Sequence, residues 1–157
     1  MTVRLQQEDF DAAAESRLLA QARGDVGAIV TFTGICRAGE GADAIAAMTL
    51  EHYPGMAEQE IAGHVAAAES RWPLKGATVI HRYGRLVPGD NIVLVVVAAA
   101  HRQDAFAAAE FLMDYLKTRA PLWKREERKA GPVWVEAKAT DDEAAERWKA
   151  ARPQAAE

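Results

Sequence analysis

The chain has one cysteine, Cys36. It cannot close an intramolecular disulfide, so a disulfide framework and a thiolate metal cluster are both excluded, and stability must come from packing in a reducing environment. Long apolar runs are missing as well. The longest, Ile92 to Ala100, is nine residues, about half of the roughly 18 to 20 that span a bilayer, and it reads as a buried strand. The opening MTVRLQQEDFD holds neither an apolar stretch nor a small-residue cleavage site, so the expected location is the cytoplasm. The four histidines lack paired ligand spacing and the acidic residues show no ligand pattern, so neither a metal nor another cofactor is expected. A formal net charge of -4 disfavours a general nucleic-acid binder, whose phosphate contacts need a basic face.

With half of its residues apolar and 27% charged, the chain has enough apolar material for a core and enough charge to solvate a surface. No internal repeat, low-complexity block or Gly/Ser-rich linker divides it. One domain over residues 1–150 is expected, with 151–157 a C-terminal tail that has little to pack against.

The periodicity predicts an α+β fold. Glu8 to Arg23 spaces Phe10, Ala14, Leu18, Leu19 and Ala22 near the helical period and meets a stop at Gly24-Asp25. Val26 to Thr33 and Ala46 to His52 read as strands joined by a mobile, glycine-rich loop, Ala38 to Asp43. Pro54 to Trp72 predicts a second helix with Met56, Ile61, Val65 and Ala68 on one face. Ala77 to Tyr83 and Asn91 to Ala100 predict a hairpin turning at Val87-Pro88-Gly89-Asp90. Arg102 to Arg119 is the strongest helix, with a stripe of Phe106, Ala109, Met113 and Leu116, ended by Pro121. A second hairpin follows, Leu122 to Arg128 and Pro132 to Ala139, and then a short helix from Asp141 to Ala150.

The acidic average hides a local reversal. Lys117, Arg119, Lys124, Arg125, Arg128 and Lys129 stand against only Glu126 and Glu127. Such a run is ordinarily a solvated face, but it also suits an anionic ligand. His101 and Arg102 sit where a strand meets a helix, whose free N-terminal amides favour anions. His52 and His81, in strand-like segments, read as structural histidines. Trp72, Trp123 and Trp134 read as core or interface anchors.

Four segments stand out together: TFTGICR (Thr31 to Arg37), LEHYPGM (Leu50 to Met56), AHR (Ala100 to Arg102) and MDYLKTRAPLWKRE (Met113 to Glu126). With RWPL at Arg71, VIHRYG at Val79 and WVEA at Trp134 in the same order, the chain over roughly residues 26–148 resembles the catalytic, or large, subunits of molybdopterin synthases. The resemblance implies an α/β hammerhead-type fold of antiparallel strands with flanking helices. It also implies a homodimer that binds two copies of a small ubiquitin-like sulfur carrier in a heterotetramer. The implied reaction moves two sulfurs from the carrier's C-terminal thiocarboxylate to cyclic pyranopterin monophosphate, giving the dithiolene of molybdopterin. Lys117 and Lys124 are the implied catalytic residues, and His101 and Arg102 the phosphate and pterin ligands. Arg37, Arg125 and Glu126 are implied to line the same substrate site as the lysines.

The chemistry is consistent with those roles. Thiocarboxylate and cyclic phosphate are both anions, and bringing them together needs fixed cations. Arginines hold a phosphate through paired donors. A lysine's proton is labile enough for nucleophilic or proton-shuttle work once neighbouring cations and burial lower its pKa, an effect expected among Lys117, Lys124 and Arg125. Cys36 is not needed, because a thiocarboxylate already carries activated sulfur. The alternative class is a non-catalytic dimeric platform whose basic groove captures the tail of a ubiquitin-like protein.

Overall fold

The β-branched run at Asn91 becomes one of the two inner strands of the larger of two four-stranded sheets. The computed structural model describes residues 1–21 and 23–150. In chain order its elements are β1 (Thr2–Gln6), α1 (Ala12–Ala20), β2 (Ala28–Ile35), a 3₁₀ turn (Gly41–Asp43), β3 (Ile45–His52), α2 (Met56–Arg71), β4 (Leu74–Arg82), β5 (Gly84–Leu86), β6 (Asn91–Ala99), α3 (Arg102–Thr118), β7 (Leu122–Arg128), β8 (Gly131–Val135) and α4 (Ala139–Ala150). The large sheet has the order β1-β4-β6-β2 and the small one β5-β3-β7-β8. Among the described residues only β1 and β4 pair in parallel; the other pairs there are antiparallel. The fold is therefore α+β, as the periodicity predicts.

Because successive strand residues point to opposite faces, β4 and β6 supply two cores. Val79, Val95 and Val97 pack under Ile61 and Val65 of α2 and Phe111 and Leu112 of α3. Ile80, Leu94 and Val96 face the other way, against Phe10 and Leu19 at α1. A third, smaller cluster joins Cys36, Met48, Leu50 and Leu86 where the two sheets meet. The last helix is tied to α3 by Asp114, whose Oδ2 accepts from Trp148 Nε1 at 2.6 Å and from Arg147 at 2.7 Å.

Several expectations change. The N-terminal TVRLQ forms a strand where none was expected, since it gains β4 as a parallel neighbour, a long-range partner invisible to local periodicity. The first helix starts at Ala12 and not Glu8, because Asp11 caps it by accepting from the Ala14 amide at 2.9 Å. It ends at Ala20, short of the expected Arg23, and Leu18 is 64% exposed. The expected hairpin is split. β4 and β6 do pair, but the chain between them detours through β5, which joins β3 in the other sheet. On α3 the buried stripe is Ala105, Ala108, Ala109, Phe111, Leu112 and Tyr115, leaving Phe106 63% exposed. The helix is thus rotated from the expected stripe so that its alanines approach the sheet closely. β8 stops at Val135, and α4 starts two residues before the expected Asp141. Trp72 packs against the core, whereas Trp123 and Trp134 are about half exposed and lie outside the core clusters. The expected mobile loop contains the 3₁₀ turn and is tied at Asp43 by Arg128 at 3.1 Å. The expected tail, 151–157, lies outside the described residues.

Burial without charge makes the fold acid-sensitive. His81 is 6% exposed and its pKa is pushed down to about 4, chiefly by burial and further by the Lys117 and His52 charges, against the opposing effect of its hydrogen bond to the Arg82 carbonyl. A folded-state pKa below the unfolded value near 6.5 means that the unfolded chain takes up the proton first as pH falls. The stability contributed by neutral His81 is present above pH ~6.5 and is lost toward pH ~4. Denaturant titrations at pH 7 and pH 4.5 should show that the parent loses about 2–3 kcal/mol more than His81→Gln over that interval. An equal loss in both proteins would contradict this account.

Candidate functional site

Strand register fixes where each candidate residue lies. In the β2–β6 pair, Ala28 faces Ala99 at one end and Ile35 sits opposite Asn91 at the other. The chain leaves β6 at Ala99, turns, and returns as α3 over β6 and β2. His101 and Arg102 therefore start α3 at the Ala28 end, and Lys117 finishes it at the Ile35 end. The turn at the start is tight: the Gly27 amide donates to the Ala99 carbonyl at 3.0 Å, and a Cβ on Gly27 would meet the Ala100 oxygen at 2.2 Å. Only glycine allows the strand edge to come this close to the segment that delivers His101. His101 occupies the N-cap position of α3 without a side-chain capping bond. His101 and Arg102 are exposed, free to meet a ligand from outside.

At the other end, Arg37 follows β2 and is exposed, as is Lys117. β7 begins four residues after α3, turned sharply at Ala120, whose amide still donates to the Tyr115 carbonyl at 3.1 Å. Along β7, Lys124, Glu126 and Arg128 alternate onto the face that also carries Leu50 and Met48 across the ladder. Glu126 is the hub there. It meets Arg128 at 2.7 Å and Lys124 at 3.5 Å, with its side chain only 12% exposed. Arg128 in turn reaches Asp43, so the loop after Arg37 is tied through Glu126 to Lys124.

Arg125 lies on the opposite face of β7. Its guanidinium stands 5.8 Å from the Trp134 ring centre, and its Nε is buried with no hydrogen-bond partner among the described residues. The expected mutual crowding of Lys117, Lys124 and Arg125 is therefore not the arrangement within one chain. Lys124 is paired with a carboxylate, and Arg125 points away from it.

Cys36 lies under the Lys124 side of the site, 2% exposed. Burial raises its thiol pKa, and the Asp90 and Glu126 charges push the same way against Lys124. A buried thiol kept protonated is a poor nucleophile.

Two histidines set aside as structural sit close to the lysine end. His81 Nδ1 donates to the Arg82 carbonyl at 2.8 Å, which fixes the tautomer of the neutral ring and leaves Nε2 as the acceptor. The His52 ring stands 4.4 Å from that of Tyr83, and its Nδ1 is buried with no partner among the described residues. The LEHYPGM and VIHRYG strings were the only signal for these two.

In a single chain, then, Arg37, Lys117, Lys124 and Glu126 gather toward one end of α3, while His101 and Arg102 lie at the other. Fifteen residues at 1.5 Å per residue put Arg102 roughly 22 Å from Lys117 along the helix. No group of three or more His, Cys, Asp and Glu side chains able to hold a metal ion occurs among the described residues.

Cations at both ends of one helix, Arg102 at its start and Lys117 in its last turn, suit anionic ligands. Residues 5–119 match the MoaE protein family, and the chain belongs to that family. It is 62% identical over 150 residues, 94% of this chain and 93% of the relative, to a molybdopterin synthase catalytic subunit of Mesorhizobium japonicum. Among solved structures, the molybdopterin biosynthesis MoaE protein from Burkholderia ambifaria superposes with a TM-score of 0.78 at 46% identity, over 94% of this chain and 98% of that one. A molybdopterin synthase from Staphylococcus aureus follows at 0.76 and 28% identity, over 83% and 94%. The family match ends at Arg119, so Lys124 and Glu126 are spanned by the near-full-length relatives and not by the family match itself.

Cys36 provides a direct check on the electrostatics. A disulfide-exchange reagent at pH 7.5 should label it only when the protein is unfolded, and Cys36→Ala should keep full turnover. Rapid labelling of the folded chain, or loss of turnover with the fold intact, would contradict this account and point to a sulfur-relay role for Cys36.

Proposed function

We propose that this chain is the catalytic subunit of a molybdopterin synthase, working in the cytoplasm. It takes sulfur from the C-terminal thiocarboxylate of a small ubiquitin-like carrier and places two sulfurs on cyclic pyranopterin monophosphate. The observation that carries the proposal is near-full-length similarity to catalytic subunits in a chain whose Lys117, Lys124 and Arg37 gather toward one end of α3. Two anionic reactants need that concentration of positive charge. No helix among the described residues is long and apolar enough to cross a membrane, which agrees with the proposed location.

Lys117 and Lys124 are the proposed catalytic residues, on flexible stems that can follow the sulfur from donor to acceptor. Glu126 holds Lys124 in place, and Arg37 contributes a bidentate donor for an anionic group. His101 and Arg102 receive the phosphate and pterin, yet lie roughly 22 Å from Lys117 in the same chain. The proposed solution is a homodimer in which one protomer's His101 and Arg102 complete the lysine site of its partner, with one carrier bound to each protomer. Arg125, with its buried unpaired Nε and exposed Trp134 neighbour, lies on a face available to a second protein chain.

Two experiments test this reading. Lys→Arg keeps the positive charge but removes the tunable amine, because a guanidinium stays protonated. Lys117→Arg should lower the sulfur-transfer rate by ~10²-fold or more, and Lys124→Arg by somewhat less, with carrier binding little changed. Parent rates in both would favour the non-catalytic platform. The shared site is tested by mixing two inactive chains, Lys117→Arg and Arg102→Ala. A mixed dimer has one site carrying both changes and one carrying neither, so activity should return on mixing. Failure to recover activity while dimers exchange would place both residues in separate single-chain sites.

A further inference from the structure

A buried histidine stands where α3 ends. Along β4, Ala77, Val79 and His81 alternate onto the face of the large sheet that α2 and α3 cover, and Ala77 and Val79 belong to the core there. His81 is the last of the three. It pairs with Leu5 of β1 and Val93 of β6, and Val93 pairs in turn with Gly34, next to the Ile35 end of β2 where Lys117 finishes α3. The charges of Lys117 and His52 both reach the His81 ring, a second sign that these residues lie together.

The pattern along β4 calls for an aliphatic side chain at this position, and the histidine costs the fold its acid tolerance. What it adds is one acceptor. Nδ1 is spent on the Arg82 carbonyl at 2.8 Å, so the neutral ring presents Nε2 with a lone pair and no proton. Burial holds the ring uncharged, with a pKa of about 4, and the acceptor is therefore present throughout the neutral range. Lys117 is the cation beside it, carrying three donors on a flexible four-carbon stem.

The two lysines differ in their surroundings. Lys124 Nζ stands 3.5 Å from Glu126, whereas Lys117 makes no ion pair among the described residues. A carboxylate favours the charged form of a lysine, while a neutral imidazole can fix an amine by one hydrogen bond without supplying a counter-charge. We propose that His81 is a positioning residue for sulfur transfer, its Nε2 accepting a hydrogen bond from Lys117 Nζ and holding that amine at the site. The inference rests on the reading of Lys117 as catalytic. Glu126 then keeps Lys124 as a fixed cation for the anionic reactants, and His81 places Lys117 without pairing its charge.

The test separates the two nitrogens of the ring. His81→Gln carries an amide oxygen to about the place of Nε2, His81→Asn reaches only the place of Nδ1 and can keep the bond to the Arg82 carbonyl, and His81→Leu keeps neither. With thiocarboxylated carrier and the pterin substrate, His81→Leu and His81→Asn should each lower kcat about tenfold or more with little change in KM, and His81→Gln should recover most of that loss. In the Lys117→Arg background His81→Leu should cost little further, because the group it positions is already gone, whereas in the Lys124→Arg background it should cost its full factor. A merely structural role gives the opposite order, with His81→Asn faster than His81→Gln and losses that multiply with both lysine variants. Either result overturns the proposal, as does parent turnover in His81→Leu beside an impaired Lys117→Arg. An unimpaired Lys117→Arg sinks the catalytic reading of that lysine and this inference with it. If His81→Leu fails to fold, His81→Gln and His81→Asn, alone and combined with the lysine variants, still decide.

Discussion

α3 is a rod, and much of the site's geometry follows from its length. Seventeen residues of helix hold their ends roughly 25 Å apart. The buried alanines Ala105, Ala108 and Ala109 seat the rod against β6 and β2, so it cannot slide without opening the main core. One end presents His101 and Arg102, the other Lys117. Pro121 then breaks the helix and hands the chain to β7, bringing Lys124 into a strand of the smaller sheet. Neither end holds the complete proposed set of residues. A single chain therefore looks like half of two sites, which is why the functional reading requires a dimer and not merely tolerates one.

Charge pairing supplies the second constraint. Glu126 sits at a junction where a strand face would ordinarily be apolar, and it is compensated by Arg128 and Lys124. Removing one member of such a partly buried network costs more than the pair contributes, because the remaining charge is left desolvated. The network also ties the loop after Arg37 to the strand bearing Lys124. The same electrostatics argue against Cys36 as the sulfur-bearing group: the acidic neighbours oppose its ionisation more than Lys124 assists it.

The legible parts of the sequence were those governed by local rules. Helix ends marked by Pro54-Gly55 and Pro121, the β-branched strand at Asn91, and the +4 cluster around Lys124 all follow from propensity, period and residue type. What was not legible depended on contacts distant in sequence. β1 exists because β4 offers it a parallel edge, and β5 leaves the expected hairpin because β3 captures it. The rotation of α3 that exposes Phe106 reflects the close approach of alanines to the sheet, which a stripe drawn from the largest side chains misses. For the site, residue types and motifs pointed to Lys117, Lys124, Arg37, His101 and Arg102. That the last two lie a helix length from the first follows from the expected helix itself, whereas the placing of Arg37 at the Lys117 end follows only from the register. Arg125 enters the site through the family resemblance, and only the strand places it on the face of β7 opposite Lys124.

The central claim is a sulfur transfer, and product mass tests it most directly. Purified chain is incubated with cyclic pyranopterin monophosphate and an excess of thiocarboxylated carrier, and both the pterin product and the spent carrier are weighed by mass spectrometry. The account predicts a product carrying two sulfurs, with two carrier thiocarboxylates converted to carboxylates for each one formed. A carrier that binds but returns with its sulfur intact, or a pterin recovered without sulfur, would contradict it.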